Sequence, residues 1–204
     1  VSLDCFSDQT SIGPKLHDVS IGFLRPEDPE AITTRIGFVH MVPFASPDYI
    51  RRRGDPVSLD DVEGHECIQQ DAAGLNYDSL RMFLGSEKMA QLVSIRVSSS
   101  YSLFWAVAGG SGIGALPTYI RSISSRVTPL KLPIRLKFEI WMSYNRVARH
   151  SEPVRATINW LRRAFDQSMY PWFAEEFVDP ALLTNSQMDS QVIPLFDHLV
   201  DVPF

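Results

Sequence analysis

Phe44-Ala45-Ser46-Pro47-Asp48-Tyr49-Ile50-Arg51-Arg52-Arg53-Gly54-Asp55-Pro56, taken up again at Leu59-Asp60-Asp61-Val62-Glu63-Gly64-His65-Glu66-Cys67-Ile68, carries a strand end, two short helices and a new strand. Ser46 is placed to cap the first helix, and Pro47 takes its first position, where a missing N–H costs nothing. Gly54 stops that helix directly after three arginines, cations that suit the negative end of the helix dipole. Asp55-Pro56 turns the chain, Ser58 opens a second short capped helix that ends at Gly64, and Cys67 to Gln69 has the composition of a strand.

Outward from this stretch, the N-terminal side is β-rich. Val1, Leu3 and Cys5 alternate with polar residues, Asp8-Gln9-Thr10-Ser11 forms a polar turn before a weak helix, and Val19 to Leu24 is a second strand. A proline-rich acidic loop, Pro26 to Glu30, leads into a longer strand from Ile32 to Ala45, expected to break at Gly37. On the C-terminal side, Arg81 to Leu84 and Leu92 to Val97 read as strands about a turn at Gly85. Ser98-Ser99-Ser100 caps a helix over Tyr101 to Ala108, Ala115-Leu116 is a strand, and Pro117 to Ser122 starts another helix. Leu136 to Tyr144 alternates with Leu136, Phe138, Ile140 and Met142 on one face. Ser151 is expected to cap the helix whose Val154, Ile158, Leu161 and Phe165 recur at helical spacing. The order of strands and helices predicts an α/β sheet protein and not a bundle.

Composition narrows the class. The chain has 204 residues, 45% apolar and 21% charged, an ordinary globular balance that excludes disorder, collagen and a disulfide scaffold. Two cysteines, Cys5 and Cys67, point to a reducing, cytoplasmic setting. The net charge of −5 argues against a nucleic-acid surface on this chain, and its distribution is uneven. From Asp166 onward seven acidic residues face no Lys or Arg, so the acidity belongs to the C-terminal segment. The longest uncharged run, Val97 to Ile120, holds five Ser, four Gly and a Pro, which excludes a membrane span. With Val1 at its start and no leader pattern, the chain is expected to begin inside a longer protein.

Gly109-Gly110-Ser111-Gly112-Ile113-Gly114 resembles a phosphate loop, but it runs from helix to strand, the reverse of the order that puts a helix N-terminus on a phosphate. It is expected to be a tight connection. His65 and Cys67 lack the further ligands a metal needs, so a buried thiol and a hydrogen-bonding imidazole are expected, with no metal and no cofactor. Asp60, Asp61 and Glu63 need no catalytic explanation at a helix start, and no nucleophile, base and orienter come together, so no enzyme is expected. Ser98, Ser99, Ser100 and Tyr101 differ: hydroxyls and free N–H groups at a helix N-terminus make a site for an anion or carboxylate if that end faces a cleft. Asp8, Gln9 and Thr10 offer a second polar turn of the same kind.

The opening stretch also resembles the effector-binding domain of LysR-type transcriptional regulators, where ASPxYLxRxGxPxxxxDLxxHxCI recurs. His17-Asp18-Val19-Ser20-Ile21, Val107 to Pro117 and Val154 to Phe165 agree with further family motifs in order and spacing, so that the resemblance covers about residues 1 to 168.

The resemblance implies a type II periplasmic-binding-protein-like fold: two Rossmann-like α/β lobes joined by two crossover strands. Lobe I would be residues 1–45 and 146–168, lobe II residues 46–145, and residues 169–204 an acidic C-terminal extension. It implies a small-molecule effector, a carboxylate or aromatic acid, bound between the lobes by Asp8, Gln9 and Thr10 on one side and Ser98, Ser99, Ser100 and Tyr101 on the other. A homodimer or homotetramer would follow, with DNA bound only through an N-terminal helix-turn-helix outside this chain. The alternative with the same fold is a solute-binding protein of a transport system.

Overall fold

The computed structural model describes Asp4, residues 17–71, Gly85 and residues 91–183. The expected elements at Val1–Phe6, Asp8–Leu16 and Arg81–Leu84 lie outside the described residues. Strands β1 (Val19–Gly22), β2 (Ala31–Ala45), β3 (Cys67–Gln70), β4 (Val93–Val97), β5 (Ile113–Pro117), β6 (Thr128–Pro129) and β7 (Leu136–Asn145) are interleaved with helices α1 (Pro47–Arg53), α2 (Ser100–Ala108), α3 (Ile120–Ile123) and α4 (Glu152–Ala164). The contacts divide them into two compact units, one holding residues 17–39 and Lys137–Phe177, the other His40–Asp71, 91–136 and 178–183.

In the first unit β7 lies between β1 and β2. β1 runs antiparallel to it with Val19 opposite Tyr144 and Gly22 opposite Trp141. The hydroxyls of Ser20 and Ser143, both buried, meet at 2.7 Å, so the one polar pair in that ladder satisfies itself. α4 lays Val154, Ile158 and Leu161 against Met142 and Tyr144, the face its spacing predicts. Each such side chain taken fully from water contributes about 1.5–3 kcal/mol. Ser151 stands at the cap position of α4 with extended backbone, but its hydroxyl makes no capping bond, and only its carbonyl closes the first turn, on Arg155 N–H at 3.0 Å.

β2 is unbroken through Gly37, contrary to the sequence expectation. The reason lies 136 residues further on: a Cβ at Gly37 would stand 3.1 Å from the Phe173 carbonyl oxygen, so the glycine admits a close backbone approach and does not end the strand. Phe173 belongs to a short 3₁₀ turn, Pro171–Phe173, in which Trp172 is buried and Phe165 and Phe173 rings pack at 4.7 Å. Lys137 reaches Glu175 at 3.0 Å beside this turn, which gives one of the C-terminal acids a local partner.

In the second unit the strand order is β2-β5-β3-β4, with β6 paired to β2. β3 is parallel to both β4 and β5, whereas β2 is antiparallel to β5. α1 starts and stops as expected: Ser46 Oγ accepts Tyr49 N–H at 3.1 Å, and Gly54, at φ 92°, closes the helix through its N–H on Ile50. The second capped helix is a 3₁₀ turn, Asp61–Gly64, entered through a reciprocal cap in which Asp61 accepts the Ser58 N–H and Ser58 accepts the Asp61 N–H. Ala45, Tyr49, Val62, Leu92, Ile113, Leu130 and Leu132 form the apolar core on this side.

Candidate functional site

Parallel strands align their carboxyl ends, and the polar loops that follow them are where open α/β sheets hold ligands. In the second unit that edge collects Gln70 at the end of β3 and Asp71 after it, Ser98 and Ser99 after β4, and Thr118 after β5, whose N–H bonds to the His40 carbonyl at 2.9 Å. Asp71 N–H donates to the Val97 carbonyl at 2.7 Å and its carboxylate is held by Arg96 at 3.1 Å and by the Gln69 amide at 3.0 Å. Its negative charge is thereby compensated where it stands.

Ser99 is the cap residue of α2. Its extended backbone turns the chain into the helix, and its Oγ accepts the Ser102 N–H at 3.1 Å. Leu103 and Val107, on the buried face of α2, fix the helix on the sheet and with it the direction of its first turn. Ser102 N–H is taken by the cap, while the N–H groups of Ser100 and Tyr101, one and two residues into the helix, have no carbonyl within reach inside it. Ser100 donates its hydroxyl proton to Gln70 Oε1 at 3.0 Å. Gln70 is 5% exposed, and with Oε1 committed to Ser100 its amide NH₂ makes no bond to a described residue. Ser98 is exposed, and Tyr101, 73% exposed, sets its ring edge-on to Trp105 at 6.1 Å. The structure therefore brings Ser99, Ser100 and Tyr101 to one helix start and adds Gln70, which sequence reasoning missed. Asp8, Gln9 and Thr10 lie outside the described residues.

The glycine-rich connection spends most of its N–H donors on its own neighbours. Gly109, Gly110, Ser111 and Ile113 give their N–H groups to the carbonyls of Trp105, Val107, Ala106 and Glu66, and Arg52 donates to the Gly110 carbonyl at 2.9 Å. The glycines serve close packing: a Cβ on Gly112 would meet the Glu66 oxygen at 2.5 Å, and one on Gly114 the Val107 side chain at 2.6 Å.

Tyr49, His65 and Cys67 form a structural cluster. Glu66 N–H donates to the Tyr49 hydroxyl oxygen at 2.9 Å, and the same hydroxyl shares a hydrogen bond with His65 Nδ1 at 3.2 Å. Burial raises the Tyr49 hydroxyl above its ordinary value, and burial followed by the neighbouring Arg53 lowers His65. Burial, helped by Glu66, pushes the Cys67 thiol up to about 11, so it is protonated and unreactive at neutral pH. Among the described residues no group of three or more His, Cys, Asp or Glu is gathered as a metal would require.

This edge, built on parallel strands with a capped helix behind it, belongs to a ligand-binding α/β domain of the type II periplasmic-binding-protein kind. The LysR substrate binding domain family matches the chain over residues 15–166, and the chain belongs to that family. Among solved structures it is similar to the regulatory domain of CrgA, a LysR-type transcriptional regulator from Neisseria meningitidis, at 18% identity over 74% of this chain and 76% of that one, with a TM-score of 0.59. The regulatory domain of AphB from Vibrio vulnificus matches at 18% identity over 78% and 80%, TM-score 0.51. The regulatory domain of Synechocystis PCC6803 CcmR, solved in complex with 2-PG, matches at 16% identity over 73% and 74%, TM-score 0.53. Against a second CrgA structure the match takes in 53% of that chain, about half its length. No curated protein matches the sequence. Among the described residues no helix is long and apolar enough to cross a membrane.

Proposed function

We propose that this chain is the effector-sensing and oligomerising part of a cytoplasmic LysR-type regulator, without enzymatic activity. A small carboxylate or aromatic acid binds at the start of α2, taking the N–H groups of Ser100 and Tyr101 and the Gln70 amide, with the hydroxyls of Ser98, Ser99 and Ser100 around it. The observation that carries this reading is Gln70: a nearly buried amide whose oxygen is engaged by Ser100 and whose NH₂ is left to donate. Asp8, Gln9 and Thr10 supply the other side, as the family resemblance implies. Binding shifts the population of domain arrangements, and a homodimer or homotetramer passes that shift to DNA-binding helix-turn-helix domains upstream. The family match and a similar domain solved in complex with 2-PG support the reading.

A thermal-shift screen of carboxylic and aromatic acids tests it. At least one acid raises the melting temperature of the chain, and replacing Ser99 and Ser100 together by bulky residues removes the rise while the chain still folds. A rise of the same size in that variant would overturn the site.

A further inference from the structure

The outer side of α4 carries a second polar concavity, in the first unit, on residues that the proposed effector site does not use. A groove of about 330 Å³ is lined by Tyr144, His150, Arg155, Ile158, Asn159 and Arg162. Its floor is the nearly buried Tyr144 and Ile158, while the imidazole, the amide and the two guanidinium groups stand exposed around it. Arg155 and Arg162 are seven residues apart on one helix, so they are two turns and about 10.5 Å apart along the axis. Both line the same groove.

Charge sets this groove apart from the rest of the molecule. The chain as a whole is at −5, yet the stretch from Arg146 to Arg163 holds five arginines and the single acid Glu152. Three arginines elsewhere have carboxylate partners: Arg35 meets Glu139 at 2.7 Å, Arg96 meets Asp71 at 3.1 Å, and Arg51 pairs with Asp48. Among the described residues no carboxylate pairs with Arg155 or Arg162. Two like charges kept along one groove, over an apolar floor and beside an amide and an imidazole, fit a ligand with an anion at each end and a short apolar middle.

The geometry points to a second ligand site on α4 that takes an extended dianion, its two carboxylate or phosphate groups held by Arg155 and Arg162 and its middle lying on Ile158 and Tyr144. A monoanion of the same length engages one arginine only and binds more weakly. Exposed Arg–carboxylate pairs contribute at most about 1 kcal/mol each, so each arginine is worth up to about fivefold in affinity and binding fades as salt rises.

The test is calorimetric titration of the full chain at low salt with adipate and, in a second arm, with 1,6-hexanediol bis(methyl phosphate), which separates carboxylate from phosphate as the anionic group over the same apolar middle. Hexanoate is the monoanion control. One of the two dianions is expected to bind about fivefold more tightly than hexanoate, to lose about three- to fivefold in R155Q and again in R162Q, and to bind undetectably in the double variant. Amide NMR spectra of the variants check that the fold is kept. Hexanoate binding as tightly as the dianions, equal binding by the double variant, or no heat with either dianion would overturn the site. The Ser99 and Ser100 double variant retains this binding, which keeps the outcome separate from that of the effector site.

Discussion

Ser100 Oγ lies 3.0 Å from Gln70 Oε1, and this bond ties the end of β3 to the first turn of α2 across thirty residues of sequence. It orients the Gln70 amide so that its NH₂, and not its oxygen, is the free end. Gln70→Leu should therefore remove a donor from the ligand, and Ser100→Ala should let the amide turn. Both are expected to weaken acid binding, by about tenfold for Gln70→Leu and less for Ser100→Ala, with the chain still folded. Isothermal titration with the best acid of the screen reads the loss. Unchanged affinity in Gln70→Leu would show that this amide faces no ligand.

The glycine-rich connection predicts a stability effect and no ligand effect. At Gly112 an added methyl meets the backbone oxygen of Glu66 at 2.5 Å, which cannot swing away because Ile113 N–H is bonded to it at 2.8 Å. Gly112→Ala should cost about 2–3 kcal/mol in urea unfolding. Gly64→Ala, where φ lies outside the glycine-only region and nothing stands within 4 Å, should stay within about 0.5 kcal/mol. Equal costs at the two positions would contradict the packing account.

His65 gives a pH dependence whose sign follows from its surroundings. Burial and then Arg53 lower its pKa in the folded chain, with Asp61 and Asp55 pulling the other way and Tyr49 bonded to Nδ1. The unfolded chain, near the ordinary value of 6.5, binds the proton more readily. The stability contributed by neutral His65 is complete above pH 6.5 and is lost as pH falls through the lower folded value. His65→Gln should flatten the urea midpoint between pH 7 and pH 5 relative to the parent chain. A parallel fall in both proteins would assign the acid sensitivity elsewhere.

Cys67 should be inert while the chain is folded. With the thiol pushed up to about 11, alkylation by iodoacetamide at pH 8 is expected to be slow at this residue and to become fast in denaturant, read by peptide mass spectrometry. Rapid native labelling would mean that the thiol is not desolvated as its packing beside Val62 and Leu92 requires.

Much of this was legible because the signals are local. Ser46 with Pro47, Gly54, the Ser99 cap and the spacing of Val154, Ile158 and Leu161 each act within one helix, and α1, α2 and α4 lie where those residues put them. What the chain alone hid was set by distant partners. Gly37 looked like a strand break because its reason, the Phe173 carbonyl, is far along the sequence. Gln70, just past the strand read over Cys67 to Gln69, carries no local signal, and only the parallel pairing of β3 with β4 sets it beside Ser100. The arginines of α4 carry no local signal either, because the want of a carboxylate partner for Arg155 and Arg162 among the described residues is a property of the fold.

The most direct test of the central claim is the ¹H–¹⁵N spectrum of the chain titrated with the best acid of the thermal-shift screen. If that acid is held at the start of α2, the backbone amides of Ser100 and Tyr101 and the side-chain NH₂ of Gln70 show the largest shifts, saturating together with one dissociation constant. Saturable binding that leaves those three signals unmoved would contradict it.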